Sequence, residues 1–285
     1  MKRWRKYAAC LGCSYLYLSA GLVLVFLGGI LWVVCYSGAS VVDMEFIRSY
    51  PRLGMTAGGI FPAVVGTVWV TMVTALFAVP VGLAAGIYLG DRLRENRLNS
   101  LVRASIRNLA GVPSILYGLF GVAIFVRGMG AGASVLAAGL TLGLLTLPYI
   151  ITTTEEALKQ VPASMREGSL ALGATDWETL ARVVLPAAAP GILTGVLLGL
   201  SRAAGETTPI LFTGAAFYLR YLPGSVFDEF MALPYHLFIL STQHHAIDTV
   251  RPLAEGTALV LLGFVLLLHL LAVLVRYRYR RHHHF

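Results

Sequence analysis

The sequence predicts an all-α integral membrane protein with six transmembrane helices. Composition is the first reason: 57% of the 285 residues are hydrophobic and 13% are charged, whereas an ordinary soluble domain has about 25% charged residues. The second reason is that apolar runs of about 20 residues, the length that crosses a bilayer, recur along the chain. A chain this apolar cannot cover its surface with water-soluble side chains, which excludes a soluble protein.

Six apolar runs are candidate spans. They lie at roughly Leu16–Tyr36, Val64–Leu89, Ile106–Val126, Ser134–Thr154, Gly191–Phe217 and Leu253–Val275. The first run is longer than the roughly 7–15 residues of a signal-peptide core, so we expect it to be retained as a span. The third run is the weakest, because Gly111-Val112-Pro113-Ser114 interrupts it.

Prolines lie inside four of these runs, at Pro80, Pro113, Pro148 and Pro209. A proline within a helix removes a backbone hydrogen bond and kinks the helix. In lipid this is tolerated where protein or a water-lined cavity satisfies the freed carbonyl group. The prolines therefore indicate kinked helices around a path, although membrane helices are in any case richer in proline than soluble ones.

The basic residues indicate an orientation. If the N-terminus lies inside, the inner segments hold 16 of the 22 lysines and arginines, the outer segments hold five, and Arg202 lies within a span. The inner set is Lys2, Arg3, Arg5, Lys6, Arg92, Arg94, Arg97, Arg103, Arg107, Lys159, Arg166, Arg182, Arg276, Arg278, Arg280 and Arg281. The outer set is Arg48, Arg52, Arg127, Arg220 and Arg251. By the positive-inside rule we expect both termini of a multi-pass inner-membrane protein to face the cytoplasm. The net charge of +8 then follows from topology, and no nucleic acid is expected to bind.

The cysteines and histidines do not indicate a metal or redox site. Cys10 and Cys13 have the spacing of a redox motif, but together with Cys35 they fall in or beside the first apolar run, and no second pair exists. The run His282–His284 extends a basic tail. Because there is no Walker-type Gly-Lys-Ser/Thr run and no nucleophile constellation, we expect this chain to be no enzyme and to bind no metal or cofactor itself.

The polar segment from Glu155 to Glu178 separates the fourth and fifth runs. We expect it to form a helix, a turn and a second helix. Ser164 and Glu167 would form a capping box for the first helix, and Gly173 would permit the turn. Asp176 would lie in the first turn of the second helix, where an acid favours the helix dipole.

The same segment has a recognisable spacing: Glu167-Gly168-Ser169, then Gly173, then Val183-Val184-Leu185-Pro186. This resembles the EAA loop of bacterial ABC-transporter permeases, with Gly168 and Ser169 in place of two alanines. We expect Pro186 to end the second helix. The resemblance implies that the loop sits in a groove of a separate ATPase subunit, coupled through Glu167, Gly173, Asp176, Leu185 and Pro186. The alternative is an amphipathic helix on the inner leaflet, but such helices are usually basic and this segment is acidic.

The fifth run contains a charge pair, Arg202 and Glu206, followed by Thr207, Thr208 and Pro209. A charge near the middle of a membrane costs about 2.5–3.5 kcal/mol on insertion scales, so Arg202 needs a partner or water. Residues four apart on a helix face each other, so we expect a buried ion pair. The pair either locks two helices or lies on a translocation path. On a path, Arg202 would meet an oxyanion, Glu206 would neutralise Arg202 when the path is empty, and the threonine hydroxyls would donate to the anion.

The stretch Ser201–Ala215, which runs Ser-Arg-x-x-Gly-Glu-Thr-x-Pro-Ile-Leu-Phe-Thr-Gly-Ala, is similar to PstA-type permeases of phosphate-specific ABC transporters. Leu172–Trp177, Gly111–Ile115 and Leu147-Pro148 fit the same family, and the resemblance covers roughly Thr67 to Val275. It implies the type I ABC importer permease fold (MetI-like). Residues 1–63 would be the N-terminal tail, first helix and outer loop. Residues 64–276 would be the permease domain, with its coupling loop at 155–190, and 277–285 a basic tail.

The resemblance also implies a function and a set of partners. The chain would lie in membrane lipid and would import inorganic phosphate. Its substrate path would include Arg202, Glu206, Thr207 and Thr208. It would pair with a homologous PstC-type permease. A dimer of a PstB-type ATPase would bind ATP and Mg²⁺, and an extracytoplasmic phosphate-binding protein would deliver the phosphate.

Other interpretations remain open. A permease of the same architecture could carry molybdate, sulfate or phosphonate, and the specificity of its binding protein would distinguish it. A passive channel or a membrane scaffold belongs to another class, which predicts transport indifferent to ATP and leaves the loop spacing unexplained. An intramembrane enzyme is disfavoured, because Arg202 and Glu206 have no nucleophile or metal ligand near them in the sequence.

The two outer loops, Ser37–Phe61 and Tyr218–Arg251, are moderately long, and the second is rich in aromatic residues. Tryptophan and tyrosine concentrate where a membrane meets water. We therefore expect an aromatic belt with a short helix lying on the membrane. The alternative is a docking surface for an extracytoplasmic partner.

A reporter fused after Arg281 tests the orientation. We expect activity typical of the cytoplasm there, because the basic excess holds the C-terminus inside. A matched fusion after Gly224, in the second outer loop, should give the opposite signal. A periplasmic signal from the Arg281 fusion would overturn the predicted topology.

Overall fold

The structure is a computed structural model that describes residues 2–92 and 97–282. Arg94, which the topology argument uses, and His283 and His284 lie outside the described residues. The described chain is almost entirely helical, as the sequence predicts. Its helices are α1 (Lys2–Ala39), α2 (Met44–Arg48), α3 (Phe61–Ile87), α4 (Arg97–Ala110), α5 (Ser114–Gly121), α6 (Val135–Lys159), α7 (Ala163–Ala171), α8 (Asp176–Thr179), α9 (Leu185–Ala204), α10 (Thr208–Thr213), α11 (Leu233–Thr242) and α12 (Ile247–His282).

Short irregular elements extend or join these helices. The described residues include three π-helical turns. One follows α3 (Tyr88–Arg92), one follows α5 (Val122–Gly128), and the third joins α8 to α9 (Leu180–Val184). Two short strands, β1 (Pro51–Arg52) and β2 (Ala57–Gly58), pair antiparallel around the turn Leu53–Met55. The strands belong to the predicted first outer loop and lie outside the candidate spans.

Five helices among the described residues are long and apolar enough to cross a membrane. They are Gly12–Ala39, Phe61–Asp91, Val135–Lys159, Asp176–Ala204 and Ile247–Arg278. A bent pair, Arg97–Ala110 with Ser114–Gly128, makes a sixth if it counts as one span. The predicted number of six spans therefore holds only with that pair included.

The predicted third span, Ile106–Val126, is wrong as a single helix. Its two halves, α4 and α5, meet at an angle of 96°. Pro113 stands just before α5 with extended backbone angles, φ −55° and ψ 136°, because a proline cannot continue the hydrogen-bond ladder of α4. The bend places Gly111, Val112, Pro113 and Ser114 on the wall of a cavity.

The predicted fifth span, Gly191–Phe217, also has different ends. Its helix starts at Asp176, well before Gly191, and stops at Ala204. Pro209 is the physical reason for the stop, since it has no N–H to donate to the carbonyl of Gly205. The chain resumes as the short α10, with Pro209 in the first turn, where a missing N–H costs nothing.

Glycines bring α6 into close contact with its two neighbours. On α9, the glycines Gly191, Gly195 and Gly199 face Ala157, Thr153 and Tyr149 of α6. A Cβ at Gly195 would lie 2.4 Å from the Thr153 hydroxyl oxygen, so only glycine allows this approach. On the other side of α6, Gly82, Gly86 and Gly90 face Ile150, Thr154 and Leu158. Small residues at intervals of four positions are typical of helices that pack against each other in lipid.

The segments predicted to share the inner side meet in the structure. Arg103 of α4 forms an ion pair with Glu155 of α6, and Arg166 of α7 forms one with Asp91 after α3. Segments predicted to be outside meet at the opposite end of the helices, where the Tyr218 hydroxyl donates to the Pro51 carbonyl at 3.1 Å. The two ends are thus built from the two predicted sets of loops.

The short helix of the second outer loop does not lie on the surface, so that expectation is wrong. In α11, Leu233, Ile239 and Leu240 are buried in one apolar cluster with residues of α3 and α12. Burial, with His244 nearby, lowers the pKa of His236 on this helix to about 4, so His236 is neutral at physiological pH. Because α11 is largely apolar and His236 is neutral, covering this helix with protein removes apolar surface from water and buries no charge on His236.

Candidate functional site

Arg202 and Glu206 stand where α9 ends. Arg202 lies in the last turn of α9, whose C-cap is Gly205. The Gly205 N–H donates to the Arg202 carbonyl and the Glu206 N–H donates to the Ala203 carbonyl, both at 3.1 Å. These short-range bonds tighten the end of the helix, so Glu206 follows the helix rather than continuing it.

A cavity of about 280 Å³ adjoins this helix end. Its walls are the bend between α4 and α5, the middle of α6 and the end of α9. Among the described residues that line it, only Arg202 and Glu206 are charged, and Ser114, Tyr117, Thr146 and Tyr149 contribute hydroxyl groups. The volume is far above the roughly 10–15 Å³ that admits a single water molecule. A small hydrated anion would fit this space.

The charge pair is more open than the sequence predicts. Arg202 Nε lies 3.9 Å from Glu206 Oε1, and the exposed fractions of the two side chains are 64% and 20%. The expectation of a buried pair is therefore wrong for Arg202. The physical reason is the end of the helix. Two residues that are four positions apart face each other on a continuous helix, but here the helix stops between Arg202 and Glu206.

The two predicted threonines are not on the cavity wall. Thr207 and Thr208 are half-buried at the start of α10, and neither lines the cavity. In their place the cavity wall includes Tyr117 and Tyr149, which sequence reasoning missed. The Gly-Val-Pro-Ser interruption was the available signal, since a bend at that point brings α5 to the wall.

The bend itself is held by a hydroxyl. Tyr117 donates to the carbonyl of Leu109 at 2.9 Å, across the break between α4 and α5. Pro113 caps α5 without a side-chain hydrogen bond, so the first amides of α5 have no side-chain partner. The positive end of the α5 dipole thus lies at the cavity wall, where it favours an anion.

The predicted helix–turn–helix exists between α6 and α9, with different boundaries. Gly173 has a positive φ of 87°, as the predicted turn requires. The capping box lies at Thr175 and Glu178, which opens α8, and the predicted box at Ser164 and Glu167 is wrong because Pro162 caps α7. The loop is shorter than predicted.

The ends of the predicted loop belong to long helices. Glu155 lies inside α6, and Leu185 and Pro186 lie in the first turn of α9. Pro186 does not end the second helix, because the chain continues from α8 through a π-helical turn into α9. Pro186 has no N–H to donate within this run, and the π-helical turn Leu180–Val184 just before it changes the hydrogen-bond pattern there, so the helical run from Asp176 to Ala204 continues past the proline.

An exposed apolar surface lies on this helix–turn–helix. Leu170, Leu172 and Trp177 are 41%, 91% and 64% exposed, and Glu167 and Asp176 are exposed beside them. Ser169, which replaces an alanine of the EAA pattern, lies 2.9 Å from the Thr179 hydroxyl and joins α7 to α8. Exposed apolar groups at this density are typical of a protein-binding surface.

Two ion pairs attach neighbouring elements to this end of the helices, and no sequence pattern predicts either of them. Arg103 Nε lies 2.7 Å from Glu155 Oε1, and Arg103 Nη2 donates to the Leu89 carbonyl at 2.6 Å. Arg166 pairs with Asp91. These contacts hold α4 and α7 against the ends of α3 and α6. Partners so far apart in sequence follow no local pattern, which is why only the structure finds them.

A family model and two curated relatives match this chain. Residues 78–282 match the family model described as binding-protein-dependent transport system inner membrane component. The chain is 34% identical to the phosphate transport system permease protein PstA of Xylella fastidiosa, over 82% of this chain and 80% of that protein. It is 33% identical to the phosphate transport system permease protein PstA 1 of Mycobacterium tuberculosis, over 96% and 90%.

A solved structure shares the fold. A chain of a bacterial alginate ABC transporter, crystallised with an alginate pentasaccharide-bound periplasmic protein, superposes with a TM-score of 0.66 over 92% of both chains. At 12% sequence identity this likeness concerns the fold alone. It confirms the predicted fold class.

The pair Arg103–Glu155 generates a stability prediction. Glu155→Gln should destabilise the protein by about 3 kcal/mol, because Arg103 is left as a nearly buried charge without its partner. We expect a lower melting temperature in detergent and faster tryptic cleavage within α4. Glu156→Gln is the matched control, since Glu156 is exposed on the same helix. Equal melting temperatures for the two variants would contradict a stabilising role of the pair.

Proposed function

The chain belongs to the family of binding-protein-dependent transport system inner membrane components, and from that premise we propose that it is a permease subunit of an ATP-driven importer of inorganic phosphate. The observation that carries the proposal is the cavity whose charged lining residues are Arg202 and Glu206. Relatives named as phosphate permeases, at 33% and 34% identity, favour phosphate over molybdate, sulfate or phosphonate. The chain forms half of the path and hydrolyses nothing itself.

In the path, the positive charge of Arg202 and the uncapped N-terminus of α5 attract the oxyanion. Glu206, 3.9 Å from Arg202, lowers the net charge of the empty cavity. A carboxylate beside the guanidinium also keeps the anion from binding too tightly to leave. Thr207 and Thr208 lie just beyond Glu206, so they meet the anion only when α10 moves during the transport cycle.

The exposed surface of Leu170, Leu172 and Trp177 is the proposed seat of the ATPase. A dimer of PstB-type subunits binds ATP and Mg²⁺ and closes on the helix–turn–helix, with Glu167 and Asp176 at its edge. Movement passes along the uninterrupted helix from Asp176 to Ala204, and so from Leu185 and Pro186 to Arg202. The turn at Gly173 sets the angle between α7 and α8.

Two further partners complete the importer. A homologous PstC-type permease covers the exposed side of Arg202, because a charge at 64% exposure would otherwise face lipid at a cost of about 2.5–3.5 kcal/mol. An extracytoplasmic phosphate-binding protein docks at the end formed by the two outer loops. The chain is an inner-membrane component, and we place both termini in the cytoplasm on the strength of the basic excess.

Phosphate uptake by reconstituted vesicles tests this function. With the partner permease, the ATPase and the binding protein, uptake should require ATP. Arg202→Gln should lower uptake about tenfold or more, since charge-assisted hydrogen bonds contribute about 1.5–3 kcal/mol. Arg276→Gln is the matched control, because Arg276 is exposed on α12 and does not line this cavity. ATP-independent uptake would favour a channel, and undiminished uptake by Arg202→Gln would remove Arg202 from the path.

Trp177→Ala tests the seat of the ATPase. Removing a central aromatic anchor should weaken ATPase binding by at least about 2 kcal/mol, roughly thirtyfold. Co-purification of the ATPase and phosphate-stimulated ATP hydrolysis measure the effect. Trp32→Ala, which removes a 71% exposed tryptophan from α1, should leave both unchanged. Full coupling in Trp177→Ala would place the ATPase elsewhere.

A further inference from the structure

Among the described residues, two ion pairs join an Arg to the Glu four residues after it, and their geometry differs. In α12, Arg251 Nε donates to Glu255 Oε1 at 3.3 Å. At the end of α9, Arg202 Nε and Glu206 Oε1 are 3.9 Å apart and form no hydrogen bond. The exposed fractions are nearly the same, 73% and 22% against 64% and 20%. Exposure therefore does not explain the difference.

The end of the helix explains it. Arg251 and Glu255 lie within the unbroken α12, whereas α9 stops at Ala204 between Arg202 and Glu206. Within the residues that the structure describes, neither the Glu206 carboxylate nor the Arg202 guanidinium makes a hydrogen bond. The Glu206 carboxylate lines the cavity without a hydrogen-bond donor from the described protein, so a ligand in the cavity can supply one.

Arg202 and Glu206 require opposite hydrogen-bonding groups on a ligand. A guanidinium only donates hydrogen bonds, and an ionised carboxylate only accepts them. Among the hydroxyls of the cavity wall, Tyr117 and Thr146 already donate to the carbonyls of Leu109 and Leu142, both at 2.9 Å, and within the described residues Ser114 and Tyr149 donate to neither charge. A ligand with oxygen acceptors for Arg202 and at least one O–H donor for Glu206 would satisfy both charges.

The need for an O–H donor separates oxyanions that are protonated at neutral pH from those that are not. At neutral pH inorganic phosphate and arsenate keep an O–H group, whereas sulfate and molybdate have lost theirs. A fully deprotonated anion would place an oxygen lone pair against the Glu206 carboxylate, and the two would repel. A protonated anion instead forms a short charge-assisted bond, O–H to carboxylate.

We propose that Glu206 is a specificity-determining residue that selects a protonated oxyanion by accepting its O–H, while Arg202 donates to the deprotonated oxygens. The proposal rests on the proposed function in that the cargo is a phosphate-class anion. It adds that the permease itself discriminates, in addition to any discrimination by a binding protein. Glu206 acts by hydrogen bonding to the cargo, and neutralising Arg202 is a secondary effect.

The test measures anion binding by the complete transporter complex in the absence of the binding protein. Radiolabelled phosphate is bound at neutral pH and displaced with arsenate, sulfate or molybdate. In the wild type, arsenate should displace phosphate and the two fully deprotonated anions should not. In Glu206→Gln the amide can donate, so sulfate should compete at least about tenfold better relative to arsenate, a change equivalent to about 1.4 kcal/mol.

Two variants serve as controls. Glu206→Asp keeps the acceptor and should keep the wild-type order of anions, even if affinity falls. Glu255→Gln removes a carboxylate of equal exposure from the closed pair and should behave as the wild type.

Equal displacement by sulfate and arsenate in the wild type would overturn the proposal, as would an unchanged ratio in Glu206→Gln. Absence of phosphate binding to a complex that still takes up phosphate would also overturn it, while leaving the proposed function intact. Absence of ATP-driven uptake by the wild type would instead refute the proposed function.

Discussion

The close packing of α6 between α3 and α9 is the constraint on which the rest of the structure depends. In lipid, apolar surface gives little drive for association, so helices are held by contact and by hydrogen bonds at short range. Glycines at spacings of four supply that contact on both sides of α6. Thr74 adds a hydrogen bond from α3 to the carbonyl of Gly139 at 3.2 Å. With these three helices fixed, the end of α9 has a fixed place.

Two prolines then create the site by interrupting helices. Pro113 separates α4 from α5, and Pro209 separates α9 from α10. Each break leaves backbone groups and side chains that a continuous helix would have satisfied, and the two breaks lie on one cavity. The close approach of Gly118 to Pro209, where a Cβ would lie 3.1 Å from the proline Cα, holds α5 beside α10. Broken helices around a polar space are the usual way to bring a charge into a membrane path.

The uninterrupted helix from Asp176 to Ala204 links the exposed apolar surface of the helix–turn–helix to the cavity. Its first turn carries Trp177 on the exposed apolar surface, and its last turn carries Arg202. The ion pairs of Arg103 and Arg166 hold the flanking elements to α3 and α6 at the same end. In the importer that we propose, movement of α7 and α8 would reach the cavity along a helix rather than through a loop.

The sequence by itself determined the class of protein, the approximate positions of the spans, the turn at Gly173 and the two charges at Arg202 and Glu206. These follow from local rules: apolar length, a residue that tolerates positive φ, and the rarity of charge in a membrane run. Only the tertiary structure decided that Ile106–Val126 bends, that Pro186 lies inside a helix, that Glu155 pairs with Arg103 and that Arg202 is open to a cavity. The physical reason is that each of these depends on groups far apart in sequence. A proline states that a hydrogen bond is missing, but only the packing of neighbouring helices decides whether the chain kinks, breaks or continues.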